Sequence, residues 1–318
     1  MKIRLGYAAI ALGLPKVTSS SNVTYTFYNK IPSEDKRLIK LKQVTYSNVS
    51  DLKKILQYNI DNTIHFYRMT SALVPLATHP DVNWDYRSIF SIEFKTIGEI
   101  IKKSKMRIDT HPDQFNVINS VNQKVVENTK NNLFFHVGLF KDMEYDDGKM
   151  VLHIGSGAGG KEDALNRFEN NFYNYPEEIT SKIILENDDK TFTAKDTLRL
   201  CNKLGVPMVL DAHHHMCNNN GENLDEMLAD ICNTWNDEKL PPKMHFSSPK
   251  NGAADRKHAD YINTKEFINF IENCRRINRD IDIMIEAKKK DLALLELIRS
   301  IKELRNDIKW SDSTTMEL

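Results

Sequence analysis

The stretch TAKDTLRLCNKLGVPMVLDAHH, residues 193–214, passes from a helix into a strand and stops on acidic and imidazole side chains. Thr193 stands where an N-cap hydroxyl is needed. Gly205, with a proline two residues on, stands where a left-handed C-cap belongs. Helical periodicity fills the interval, and Met208, Val209 and Leu210 then make a short apolar run that ends at Asp211. A run that is apolar without alternation marks a strand covered on both faces of a parallel sheet.

Seven further runs read the same way: KIRLGYAAI (2–10), TIHFYRM (63–69), KMRIDTHP (105–112), KMVLHIGS (149–156), KIILEND (182–188), PKMHFSS (242–248) and IDIMIEAK (281–288). Helical periodicity returns between them, as in SDLKKILQYNI (50–60), with Ser50 as a possible N-cap, and TKEFINFIENCRRI (264–277). Strict alternation of strand and helix implies right-handed crossovers, and eight such units close into a (β/α)8 barrel. We expect one domain over residues 1–318, since neither a linker nor an internal repeat interrupts the pattern. The rival is a doubly wound open sheet. Its Gly-rich dinucleotide fingerprint is missing after the first strand, so no nucleotide cofactor is expected.

Composition fits a soluble globular chain, with 40% hydrophobic and 28% charged residues. No window approaches 18 uninterrupted apolar residues and the N-terminus lacks a secretory pattern, which points to a cytoplasmic protein without a membrane partner. The four cysteines form no C-x-x-C pair, so reduced thiols are expected. With 44 basic against 44 acidic residues, any polyanion surface must be local; IKKSKMR (101–107) and EAKKKD (286–291) are the candidates.

The chemistry lies at the strand ends. His111, His153, Glu186, Asp211, His245 and Glu286 each close an apolar run, and in a barrel all these ends face the carboxyl-terminal side. A single histidine there is an ordinary satisfied polar group. Three carboxylates meeting several imidazoles are costly unless cations neutralise them. His214 is carried by the turn after Asp211 towards a neighbouring ion, His213 and His215 are weaker candidates, and Cys217 is a bystander. His79 and His258 add imidazoles on loops. Mixed histidine and carboxylate ligation suits Mn²⁺ or Zn²⁺, and so many donors imply two or three divalent ions. Clustered ions sharing a bridging carboxylate are an arrangement that cleaves phosphodiesters.

Lys243 lies two residues before His245, so alternation sends both side chains to the same face. An ammonium there would oppose the ions. It can lose its proton through burial, become a carbamate by taking up carbon dioxide, or snorkel out to a phosphate.

LVPLATHP (73–80), HPDQF (111–115), VLHIGSGAGGKEDALNRF (151–168), LENDD (185–189), GVPMVLDAHHHMCN (205–218), PPKMHFSSP (241–249) and IDIMIEAKKKD (281–291) resemble the ultraviolet damage endonuclease family, in order, over most of the chain. The resemblance implies a TIM barrel related to endonuclease IV. It also implies cleavage of double-stranded DNA immediately 5′ to cyclobutane pyrimidine dimers, 6-4 photoproducts and some abasic or distorted sites. It assigns His111, His153 and Glu186 to one ion, bridges Glu186 to a second held by Asp211, His245 and Glu286, and gives a third to His214 and His258. His79 falls at the edge of the cluster, where the resemblance allows contact with a substrate phosphate as readily as ligation of an ion. The resemblance favours the carbamate on Lys243.

Gln114 and Phe115 match the family's probing pair, which wedges into the duplex beside a flipped lesion. Tyr7 matches a tyrosine near the lesion. Two positions depart from the pattern. Phe115 stands where some members carry tyrosine, and AAIALGLP after Tyr7 lacks the expected asparagine. A monomer is expected. The rival enzyme is a metal-dependent sugar isomerase or epimerase, which gathers the same donor types at the same barrel face. A DNA-distortion sensor with structural metals is the nonenzymatic rival.

Overall fold

The computed structural model describes residues 1–318. Its strands are β1 (Lys2–Ala8), β2 (Phe66–Met69), β3 (Arg107–Thr110), β4 (Lys149–His153), β5 (Ile183–Glu186), β6 (Met208–Asp211), β7 (Lys243–Phe246) and β8 (Ile281–Ile285), followed by β9 (Lys309–Trp310) and β10 (Thr315–Glu317). The first eight pair in sequence, all in parallel, and β1 joins both β8 and β2 to close the ring. This is the expected (β/α)8 barrel, with every expected apolar run contributing one strand. The two short extra strands were not legible. In the register Ile3↔Met316, β10 adds antiparallel to the start of β1, and the amide of Leu5 donates to the Thr314 carbonyl.

The helix Ala194–Leu204 shows why the units form. The Thr193 side chain accepts from the Asp196 amide, the Asp196 side chain accepts from the Thr193 amide, and Gly205 ends the helix at φ 67. Ser50, in contrast, lies inside a 28-residue helix, Glu34–Asp61, whose N-cap is Ser33. The apolar stretch 50–60 shows only that helix's buried face, and its polar first half carries too little periodicity to be read.

A core of 68 buried residues fills the space between barrel and helices. Inside the barrel, alternation produces layers. Val151, Ile184 and Val209 pack together with Trp235, and Ala8, Phe66 and Met284 form a second small group. Two residues further along the same strands stand His153, Glu186, Asp211, Arg68 and Glu286, so the apolar layer is the floor of the polar mouth. Gly6 has to be glycine because a Cβ there would lie 2.1 Å from the Phe66 carbonyl oxygen. No helix is long and apolar enough to cross a membrane.

Candidate metal centre and nucleic-acid interface

Glu186 is the hub of the mouth. It is 1% exposed at the end of β5, and its two oxygens face different partners. Oε2 lies 3.0 Å from His111 Nε2 and 3.6 Å from His153 Nε2, while Oε1 lies 2.7 Å from His245 Nδ1 and 3.5 Å from His214 Nδ1. Burial alone would raise its pKa. The imidazoles of His245 and His153 and the hydrogen bonds from His111 and His245 outweigh this and hold it well below the usual carboxylate range.

Donor atoms within 4.8 Å of one another form three groups: His111, His153 and Glu186; Glu186, Asp211 and His214; Asp211, His245 and Glu286. Adjacent groups share one carboxylate, so Glu186 and Asp211 are the two candidate bridges. Asp211 Oδ2, His153 Nδ1 and His245 Nε2 are buried without a protein partner. An unpartnered carboxylate oxygen on a fully buried aspartate is what a cation site requires, since burying it otherwise is unfavourable. The residues therefore fit divalent ions.

Asp211 also caps the short helix Ala212–Cys217, its Oδ1 accepting from the His214 amide at 2.7 Å. That helix, rather than a turn, swings His214 back over Glu186. Burial would lower the pKa of His214, but Asp211, Glu186 and Glu286 raise it to about 9. Glu286 is held well below the carboxylate range: burial opposes this, and Arg68 and His245 prevail. His258 stands outside the three groups, with Nδ1 4.0 Å from Glu286 Oε2.

Several members of the constellation escaped the sequence reading. The Arg68 guanidinium lies 2.6 Å from Glu286 Oε1. Asp109 meets the Lys243 amine at 2.5 Å, and below them Asp282 accepts from both Arg4 and Arg107. A signal was available, because a charged residue inside an apolar strand, at the parity of a candidate ligand, has to enter the barrel. Lys243 points inward as alternation predicts and does not snorkel; it is fully buried, and burial lowers its amine to about 8 against the opposing pull of Asp109.

Around the mouth, the loop after β3 projects. Phe115 is 77% exposed, the most exposed large apolar side chain together with Ile92. Gln114 lines two clefts, and Phe115 lines the first of them. One, of about 660 Å³, is lined by His79, Gln114, Phe115, Asn128 and Asn132. The other, of about 320 Å³, is lined by Gln114, His153, Asp189, Lys190 and Arg256. His79 is half-buried in the first cleft, stacked on Tyr25 with ring centroids 3.9 Å apart, and belongs to no donor group.

Tyr7 corrects the reading. It turns to the outer face of β1, is fully buried, and donates its hydroxyl to Asn59 Oδ1 at 2.8 Å. Alternation sends Gly6 and Ala8 inward and Tyr7 into the helix layer, where it cannot meet DNA. The basic run 101–107 also lies at the wrong end, because the helix Ser91–Ser104 leads into the start of β3 and Lys102 pairs with Glu144. Lys288 to Lys290, following β8, lie on the side of the mouth.

The family profile described as UV-endonuclease UvdE matches residues 3–316. A UV DNA damage endonuclease of Bacillus cereus (strain Q1) is 38% identical over 315 residues, covering 99% of each chain. The crystal structure of SacUVDE is 34% identical, with a TM-score of 0.84 over 95% of this chain and 99% of that one. Endonuclease IV from Thermus thermophilus, at 12% identity and a TM-score of 0.57 over 95% of this chain and 99% of that one, shares the fold. Matched along nearly its whole length, this chain belongs to the UV-endonuclease UvdE family.

Proposed function

We propose that this protein is a metal-dependent DNA endonuclease, a hydrolase that nicks one strand immediately 5′ to ultraviolet photoproducts and some abasic or distorted sites. The observation that carries the reading is the chain of three donor groups joined by Glu186 and Asp211 at the mouth of a barrel of this family. Two or three divalent ions held by these residues, Mn²⁺ by preference, would supply water activation and charge stabilisation at the attacking and leaving oxygens.

The protein's own residues supply the rest. His111, His153, Glu186, Asp211, His214, His245 and Glu286 hold the ions, and His258 completes the outermost one. Arg68 keeps Glu286 ionised and oriented. His79 contacts a substrate phosphate from the edge of the cleft. The exposed pair Gln114 and Phe115 supports lesion probing, because a flat apolar ring standing free in water replaces stacking lost when bases leave the duplex. Lys243 loses its ammonium proton and takes up carbon dioxide, the neutral amine nitrogen bonding to its carbon and releasing a second proton, and becomes a carbamate. Arg68 and Arg107 are already paired with Glu286 and Asp282, so the new anion beside Asp109 would need the divalent ions to balance it. The protein acts as a cytoplasmic monomer at the nucleoid.

The deciding experiment incubates the protein with irradiated and unirradiated supercoiled plasmid, in Mn²⁺ or in chelator. Nicking confined to irradiated plasmid in Mn²⁺, with the break mapped to the 5′ side of the lesion, is expected. A protein that epimerised small sugars and ignored DNA would overturn the reading, and one that bound damage without nicking would be a distortion sensor.

A further inference from the structure

His213, the first histidine of the run after Ala212, is fully buried and stands outside the donor groups. Its Nδ1 lies 2.8 Å from the Ser247 hydroxyl, and its Nε2 lies 2.9 Å from the Asp255 carbonyl oxygen. A carbonyl only accepts, so Nε2 carries the proton and Nδ1 accepts from Ser247. Both nitrogens are then engaged and neither has a lone pair free for an ion. This separates His213 from His214 beside it.

Asp255 belongs to an excursion after β7 that folds as a hairpin. The Lys250 amide donates to Lys257, the Ala259 amide donates to Ser248, and Pro249 bridges to His258. Its tip, Asn251 to Ala254, is exposed. The returning arm carries Arg256, paired with Asp189 at 2.5 Å, and His258, whose ring lies 5.3 Å from that of His213. The Arg256 pair is at the surface, where such pairs contribute little. The bond from the buried His213 ring, part-buried at its Asp255 end, is the stronger anchor, since leaving the ring nitrogen unpaired there is unfavourable.

We infer that His213 is a positioning residue: with its tautomer set by Ser247, it clamps the hairpin 248–259 over the mouth and so presents His258 to the outermost ion and Arg256 to the cleft beside His153. The consequence for the ion rests on the metal-dependent reading above; the clamp itself does not.

Hydrogen exchange in the metal-free protein tests the clamp, and metal content tests its consequence. His213→Phe keeps a ring in the buried space and removes both bonds. It should speed exchange of the Lys250 and Ala259 amides at least about fivefold, the scale of one or two lost hydrogen bonds. Metal content should fall to that of His258→Ala, with the double variant losing no more. His213→Gln, whose amide can still donate to the Asp255 carbonyl, should restore most of both. Ser247→Ala, which leaves the ring in place, should shift both readouts less and in the same direction. Unchanged hairpin exchange in His213→Phe and Ser247→Ala would overturn the clamp. So would a larger metal loss in His213→Phe than in His258→Ala, which would make His213 a ligand. If the parent neither bound metal nor nicked DNA, the nuclease reading would fail while the exchange measurement still decided the clamp.

Discussion

The amine of Lys243 lies 2.5 Å from Asp109 Oδ2, inside the barrel, with both side chains shut off from solvent. Removing one partner leaves an uncompensated buried charge, so Asp109→Ala should destabilise the metal-free protein by about 3–5 kcal/mol. The double variant Asp109→Ala/Lys243→Met should recover a large part of that loss in urea unfolding. Additive losses would mean that the two side chains do not depend on each other.

In the metal-loaded protein the same lysine should exchange label with ¹³C-bicarbonate and give a carbamate signal absent from Lys243→Ala. That variant should nick poorly and regain part of its activity in a short carboxylic acid. An unmodified amine together with a fully active Lys243→Ala would remove the carbamate and leave the nuclease assignment standing.

Glu186 touches four imidazoles with two oxygens. Glu186→Ala should therefore cut metal content and lower nicking of irradiated plasmid by at least about 10³-fold, the scale of losing a preorganised charge at the reacting centre. Its far-ultraviolet circular dichroism should match the parent. Normal cutting by this variant would exclude the shared-carboxylate centre.

Gln114 lines both clefts, Phe115 lines the first, and neither belongs to a donor group. Replacing both with alanine should weaken binding to damaged duplex by about 1–3 kcal/mol, as expected for a lost stacking contact, and leave the metal content alone. A metal loss as large as that of His111→Ala would make the pair structural.

His136, in the helix Gln123–Asp142, is fully buried with neither ring nitrogen partnered. Burial first, and the neighbouring His111 second, lower its pKa from 6.5 to about 3. Between those values the unfolded chain binds the proton and the folded one does not. Stability from this group is therefore complete above pH 6.5 and falls with acidification, by about 1.4 kcal/mol per pH unit. His136→Phe should remove that slope when its unfolding free energy is compared with the parent's from about pH 4 to 7. Parallel pH profiles would show that the ring is not held neutral.

The sequence by itself determined the barrel and the candidate donors. Both faces of β5 and β6 are buried, so each is a plain apolar run, and the first strong polar residue marks its carboxyl end, at Glu186 and Asp211. Local rules of this kind need no partner from elsewhere in the chain. The tertiary structure alone decided how those donors combine. Glu186 bridges because β5 sits between β4 and β6, Arg68 reaches Glu286 across 218 residues of sequence, and Lys243 meets Asp109 across 134. It also decided that Tyr7 turns outward and that β10 adds to β1. Such contacts depend on ring closure and on strand parity relative to a neighbour, and neither is written in any one segment.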